Sequence, residues 1–344
     1  MDMRAPAPGG EPGTTRRTDR AADVREALRR WVDALPAATS AAAGYHFGWL
    51  DEEGAPVDRP GGKQLRPLLV RACAEAVGGD PADAAEAAVA VELVHAATLL
   101  HDDIIDGDRL RHHRPTAWDV FGVPRAMLTG DALLAQAFRV LAARPSAHAA
   151  RSVAVLADAV TRMAEGEAMD VAFESRADVS PAEYAAMAEA KSGALASAAC
   201  ELGALAGGGD ERAARALAAF GLRLGLAGQI TDDLLGLFGD PEATGKPIGS
   251  DLLSAKKSHP VVCALASGTA AGERLRALLA GGAAREDLRE ATRLVAEAGG
   301  REQSARAAAE HTGHAVAALA GAGLRADAAD RMARIADFVL HRTV

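Results

Sequence analysis

The chain has 344 residues, 49% of them apolar and only 3% aromatic, with a formal net charge of −9. That supplies a large core, and the acidic balance excludes a general nucleic-acid-binding surface, which needs a basic excess. Abundant alanine, with little alternation of β-branched residues, favours helices over sheets. No apolar run reads as a membrane span, and the N-terminus lacks the apolar stretch of a secretory signal. Cys73, Cys200 and Cys263 are scattered, with neither disulfide nor zinc spacing, so buried reduced thiols in a cytoplasmic protein are expected.

Residues 1–20, rich in Pro, Gly and Arg, read as a disordered tail, and 21–344 as one all-α domain. Helical periodicity begins at "AADVREALRRWVDAL", and "GGKQLRP" (61–67) opens a second helix. "PADAAEAAVAVELVHAATLLHDDIID" is long enough for a buried helix. Three more follow over 123–143, 148–174 and 180–208, the last opening on Ser180–Pro181, a good cap followed by proline at the first helical position. "ERAARALAAFGLRLGLAGQITDDLLGLFG" is another, and the Pro- and Gly-rich 240–260 reads as a loop before shorter helices complete the chain.

Two aspartate clusters stand inside apolar sequence, "HDDIID" at 101–106 and "QITDDLLGLFGD" at 229–240. Asp102 and Asp106 are one turn apart on a helix face, with His95 two turns back on the same stripe, whereas Asp103 points about 100° away. Carboxylates one turn apart repel, so a purely structural stripe is a poor fit, and hard oxygen ligands at that spacing suit Mg²⁺ with substrate phosphates. Asp232 and Asp233 repeat the pattern, so two such helices facing one another would hold Mg²⁺ bridged by a polyphosphate. Lys63, Lys191, Lys246, Lys256, Arg66 and Arg111 then serve as clamps for an anionic substrate.

The ordered motifs "GGKQLRP", "HDDIID" with "RHHRPT", "GDALL", "KSG" at 191, "QITDDLLGLFGD", "TGKP" and "AKKS" resemble the trans-isoprenyl diphosphate synthases of the polyprenyl synthetase family. The resemblance implies a helical bundle around a deep cavity, a homodimer, and about three Mg²⁺ per site on Asp102, Asp103, Asp106, Asp232 and Asp233. It also implies that Arg111, Lys191, Lys256 and Lys246 hold an allylic diphosphate, and that Lys63, Arg66 and His95 hold isopentenyl diphosphate. Gln229, Ser192 and Thr231 would turn dipoles toward an allylic cation.

Three departures from the family pattern stand out. His112 occupies the position of a second arginine that grips isopentenyl diphosphate, and a histidine with an ordinary pKa of about 6.5 is a weaker, conditional cation. Arg114 is a nearby arginine outside the ligand pattern. Gly236 stands where an aspartate is common, leaving Asp240 as a weaker candidate, and Glu167 stands where glutamine is common, with Asp170 beside it as a supporting acid. Ahead of the first cluster, Ala97 and Thr98 are small where aromatics often stop chain growth, so a product of about twenty carbons or longer is expected. Met127, Met163 or Phe138 would then form the cavity floor. The competing expectations are an enzyme that ionises and cyclises a prenyl diphosphate alone, prompted by His112, and a non-catalytic partner of another synthase.

Overall fold

Helices built from alanine present little side-chain bulk, so their backbones pack closely around a few larger residues. The computed structural model describes residues 24–57, 65–143, 146–239, 252, 255–280 and 287–341. The expected tail over 1–20, together with Lys63, Asp240 and Lys246, lies outside the described residues.

The chain runs through α1 (24–33), α2 (Ala37–His46), α3 (Leu65–Ala76) and α4 (Ala85–Ile105). A hairpin of β1 (Leu110–Arg111) and β2 (Arg114–Pro115) leads to α5 (Ala117–Phe121), α6 (Val123–Ala143) and α7 (Ala149–Glu174). Then come α8 (Pro181–Ala188), a π-helical turn (Glu189–Gly193), α9 (Ala194–Ala206) and α10 (Glu211–Phe238). The chain closes with α11 (His259–Leu265), α12 (Ala270–Ala280), α13 (Leu288–Glu297), α14 (Gly300–Ala318) and α15 (Ala328–Leu340).

Central α4 packs against α3, α6 and α9, and Leu93, Val94 and Leu100 of α4 share a core with Leu133 and Val140 of α6 and Leu195 and Leu202 of α9. Helix α10 lies along α9 and α14, burying Leu217, Phe220 and Leu224. By length and apolarity α6 could cross a membrane; part of its apolar surface packs on α4 and α2, and Val123, Met127 and Leu128 are exposed. Cys73, Cys200 and Cys263 are buried free thiols, the first two in one apolar core where α3 meets α9.

The start expected at Ser180 is built as a capping box, with the Ser180 hydroxyl and Glu183 exchanging hydrogen bonds and Pro181 in the first turn. The helix that follows is not uniform as expected. Its middle widens into the π turn that carries Lys191 and Ser192, a distortion that recurs at functional sites. Gly166 allows it: a Cβ there would lie 2.3 Å from the Lys191 backbone nitrogen, so α7 presses directly on the turn.

A second difference is the hairpin. Leu110 pairs with Pro115 and Arg111 with Arg114, leaving His112 and His113 as a two-residue turn at φ 50° and 60°. Turns of this hand require positive φ at both central residues, which non-glycine side chains resist. The anchor is on β2, where Arg114 donates to the carbonyls of Tyr45 (2.6 Å) and Leu50 (2.7 Å) and its guanidinium sits 3.4 Å over the Tyr45 ring. The Tyr45 hydroxyl returns a hydrogen bond to Pro115 O at 2.8 Å. The end of α2 is thereby fastened to the hairpin.

Gly166→Ala should separate α7 from the π turn and cost about 1–3 kcal/mol of stability. Chemical denaturation checks this, and unchanged stability would show that the close approach is dispensable.

Candidate active site

Most of the α4 circumference is buried, and its half-buried stripe is Glu92, His95, Thr98, Asp102 and Asp106. That spacing of three and four residues keeps one polar line along an otherwise apolar helix. Burial pushes the Asp102 carboxyl up to about 7, Glu167 and Asp106 add to the shift, and Lys191 and Arg111 oppose it. Asp106 accepts from Lys256 Nζ at 2.6 Å, across 150 residues of chain. Burial opposes the charge on Lys256, but Asp106 outweighs it and holds the ammonium above its ordinary range.

From the π turn, Lys191 Nζ reaches Asp170 at 2.6 Å and Glu167 at 2.7 Å, both on α7. Here too burial opposes the charge, and Asp170, Glu167 and Asp102 together raise the pKa. The pair Glu167 and Asp170 therefore belongs to the centre. Their spacing of three residues in "EGEAMD" marks them as one face of a helix.

The second aspartate cluster divides. Asp232 is exposed, while Asp233, only 8% exposed, is held by three donors. Its Oδ2 accepts from the Tyr184 hydroxyl and the His259 backbone N–H, each at 2.7 Å, and its Oδ1 accepts from Gln229 Nε2 at 2.8 Å. Gln229 Oε1 in turn accepts from the Ser192 hydroxyl at 2.5 Å. Burial raises the Tyr184 pKa, and the charges of Asp233, Asp170 and Asp232 add to it. Asp170 of α7 and Asp232 of α10 thus act on one phenol, which places α10 beside the α7 acid that holds Lys191.

Several expectations change here. Asp233 is a buried anchor, not an open metal ligand, because protein donors occupy both its oxygens. Asp103, 1% exposed, faces away from the stripe and takes Arg111 Nε at 2.9 Å and Nη2 at 2.7 Å on one oxygen. Its role as a metal ligand is likewise revised, since it is buried and holds the arginine. The Thr231 hydroxyl donates back to Ala227 O within its own helix, so its dipole is not turned to a substrate. Met127 is 46% exposed on α6, whereas Met163 is buried and Phe138 packs on the main core.

On the basic side, Arg66 Nη1 lies 2.9 Å from His95 Nε2. Burial, with Arg66, His46 and Arg111 nearby, holds the His95 pKa well below 6.5, so the ring is neutral and accepts the arginine proton. His112 occupies the exposed tip of the hairpin, and the carbonyls of Tyr45 and Leu50 engage Arg114. His46, at the end of α2, also joins this cluster, and no recognisable spacing around "GYHFGW" marked it.

Residues 49–295 match the family model for polyprenyl synthetases. The chain belongs to the polyprenyl synthetase family. It is accordingly an enzyme that transfers prenyl groups. This polyprenyl synthetase is 40% identical to a (2E,6E)-farnesyl diphosphate synthase of Mycobacterium bovis over 93% of the chain and 90% of that protein. It is 42% identical to a geranylgeranyl diphosphate synthase of Mycobacterium tuberculosis, over 87% of the chain and 86% of that protein. A polyprenyl synthetase structure from Streptomyces coelicolor superposes with a TM-score of 0.89 at 43% identity, covering 94% of this chain and 98% of that one.

The two kinds of aspartate should separate in metal-free protein at pH 8. Asp233→Asn strands buried donors and should cost on the order of 2–3 kcal/mol. Asp102 behaves oppositely: its native pKa of about 7 lies above the ordinary 3.8, so the folded form holds the extra proton. That stabilisation is complete below about pH 4 and lost as pH rises through 7. Asp102→Asn should therefore leave the melting temperature unchanged or raised at pH 8. A matching fall in both variants would contradict the division.

Proposed function

We propose that the protein is a magnesium-dependent prenyltransferase that joins an allylic prenyl diphosphate to isopentenyl diphosphate. The products are pyrophosphate and a trans-polyprenyl diphosphate of about twenty carbons or longer. The observation that carries this reading is the pairing of three cations with acids from separate elements: Lys191 with Glu167 and Asp170, Lys256 with Asp106, and Arg111 with Asp103. Such a site can exchange partners, its acids taking metal while its bases take phosphate.

The donor set fits Mg²⁺. Asp102, Asp106 and Asp232 offer hard carboxylate oxygens, and Asp102, its pKa raised by burial and then by Glu167 and Asp106, would gain from a cation beside it. When bound, the ion would neutralise charge developing on the departing pyrophosphate. Lys191, Lys256 and Arg111 would hold the same diphosphate oxygens as the allylic carbon–oxygen bond breaks. Gln229 and Ser192, fixed in a chain of hydrogen bonds ending at Asp233, would keep their dipoles oriented beside the allylic cation. Arg66 and His95 would orient isopentenyl diphosphate so that its double bond attacks that cation, and the released pyrophosphate would take the proton.

Thr98 lies one turn below Asp102 on the same stripe, and its small side chain, tied to His95 O at 2.8 Å, supports the longer product. The reading includes a homodimer, in which the exposed Val123, Met127 and Leu128 of α6 would be covered. It also includes a cytoplasmic location, consistent with three free thiols. Membership of the polyprenyl synthetases favours neither the cyclising nor the non-catalytic alternative.

Mass analysis after incubation with Mg²⁺, isopentenyl diphosphate and allylic primers of increasing length tests this. Products of about twenty carbons or more are expected, with none from geranylgeranyl diphosphate alone. A hydrocarbon or alcohol from that single substrate would overturn the elongation reading, and arrest at fifteen carbons (about three isoprene units) would overturn the product length. Asp102→Ala or Asp232→Ala should lower turnover by roughly 10³-fold with helicity unchanged.

A further inference from the structure

Two buried polar side chains outside the active site, His259 and Ser304, are tied to it through Asp233. His259 gives its backbone N–H to Asp233 Oδ2, and its imidazole stands edge-on to the Tyr184 ring with centroids 4.9 Å apart. The Tyr184 hydroxyl donates to the same carboxylate oxygen. His259 Nδ1 lies 2.7 Å from the Ser304 hydroxyl, which donates to Gly300 O one turn back in α14, also at 2.7 Å. A hydroxyl has one proton, so toward the ring Ser304 accepts, and His259 Nδ1 carries the hydrogen. Cys263 Sγ, 3.6 Å from the same nitrogen, is a longer and weaker contact. An unbroken chain of hydrogen bonds therefore runs from the first turn of α14 through His259 and Asp233 to Gln229 and Ser192.

That first turn of α14 also seats the chain leading into α11. A Cβ on Gly300 would lie 2.2 Å from Pro260 O, so α11 begins directly against the α14 backbone. From the other side Lys257 Nζ donates to Ala255 O at 2.7 Å and to Glu174 O at 3.3 Å. Residues 255–260 are thus fastened to α7 on one side and to α14 on the other, and Lys256 extends from them to Asp106 at 2.6 Å.

Building on the elongation reading above, we propose that His259 and Ser304 are positioning residues for the allylic diphosphate. Through Asp233 they fix Gln229 and Ser192, and through the segment 255–260 they aim Lys256. The hydrogen bond between them transmits the seating of α14 to two elements that serve the same substrate. Breaking it leaves a buried donor or acceptor unsatisfied, which shifts the segment toward another partner. Arg66 and His95, assigned to isopentenyl diphosphate, stand on α3 and α4 outside this chain, so the effect is confined to one substrate.

The test is steady-state kinetics of the full chain with Mg²⁺, varying the allylic diphosphate at saturating isopentenyl diphosphate and then the reverse. Ser304→Ala and His259→Leu should each lower kcat/KM for the allylic substrate about tenfold, equivalent to ~1.4 kcal/mol, with KM for isopentenyl diphosphate unchanged. His259→Asn, whose amide N–H reaches the place of Nδ1, should recover most of that loss. The double variant should fall little below either single one, since both remove the same link. Thr312→Val deletes a buried hydroxyl that donates to Ala308 O further along α14, and this stability control should leave the kinetics toward both substrates unchanged. Unchanged allylic kinetics in Ser304→Ala and His259→Leu overturn the proposal. So does a loss shared equally by both substrates, a loss that His259→Asn does not relieve, or losses that add in the double variant. Should one single variant fail to fold, the other decides by the same criteria. Failure of the wild-type protein to elongate any primer would instead overturn the functional reading beneath it.

Discussion

The constraint on which this structure turns is the cost of placing charge in a largely buried site. A carboxylate or ammonium withdrawn from water needs a partner of opposite sign. Lys191 meets Glu167 and Asp170, Lys256 meets Asp106 across 150 residues, and Arg111 meets Asp103 from the neighbouring hairpin. The local irregularities fall where those pairs are made. The π turn carries Lys191, the hairpin aims Arg111 at α4, and Ala255, at φ 55°, directly precedes Lys256. Lys257 then ties that last segment to Glu174 O at the end of α7.

The same pairing makes the site exchangeable. Burial, with Glu167 and Asp106 nearby, raises the Asp102 pKa to about 7, so on the proposed reading a divalent cation would relieve an existing imbalance. On the proposed reading, acids that turn to a metal would free the lysines and arginine to take a diphosphate. Asp233 stands outside this exchange. By accepting from α8, α10 and the start of α11, it sets the frame in which Asp232 and Gln229 are presented.

The bundle was legible in the sequence because apolar periodicity survives an alanine-rich composition, as the coincidence of 123–143 with α6 shows. The stripe from His95 through Asp102 to Asp106 was legible for the same reason, since helical spacing alone puts them on one face. What spacing could not reveal was which of two adjacent aspartates turns inward. Asp232 and Asp233 look alike in sequence, and the distant donors Tyr184 and the His259 backbone distinguish them. The π turn was hidden because it depends on the bare backbone of Gly166 in another helix. The fastening of α2 to the hairpin was hidden because it runs from Tyr45 to Arg114 and Pro115, about seventy residues on, which no local pattern encodes.

The claim that acids of α4 and α10 serve one magnesium–diphosphate centre is tested most directly by calorimetry of Mg²⁺ binding in the presence of inorganic pyrophosphate. Loss of either Asp102 or Asp232 should weaken that binding by a comparable factor, and the double variant should lose little more than either single one, as expected for groups acting on a shared centre. Independent losses that add, or binding untouched by either change, would contradict the account.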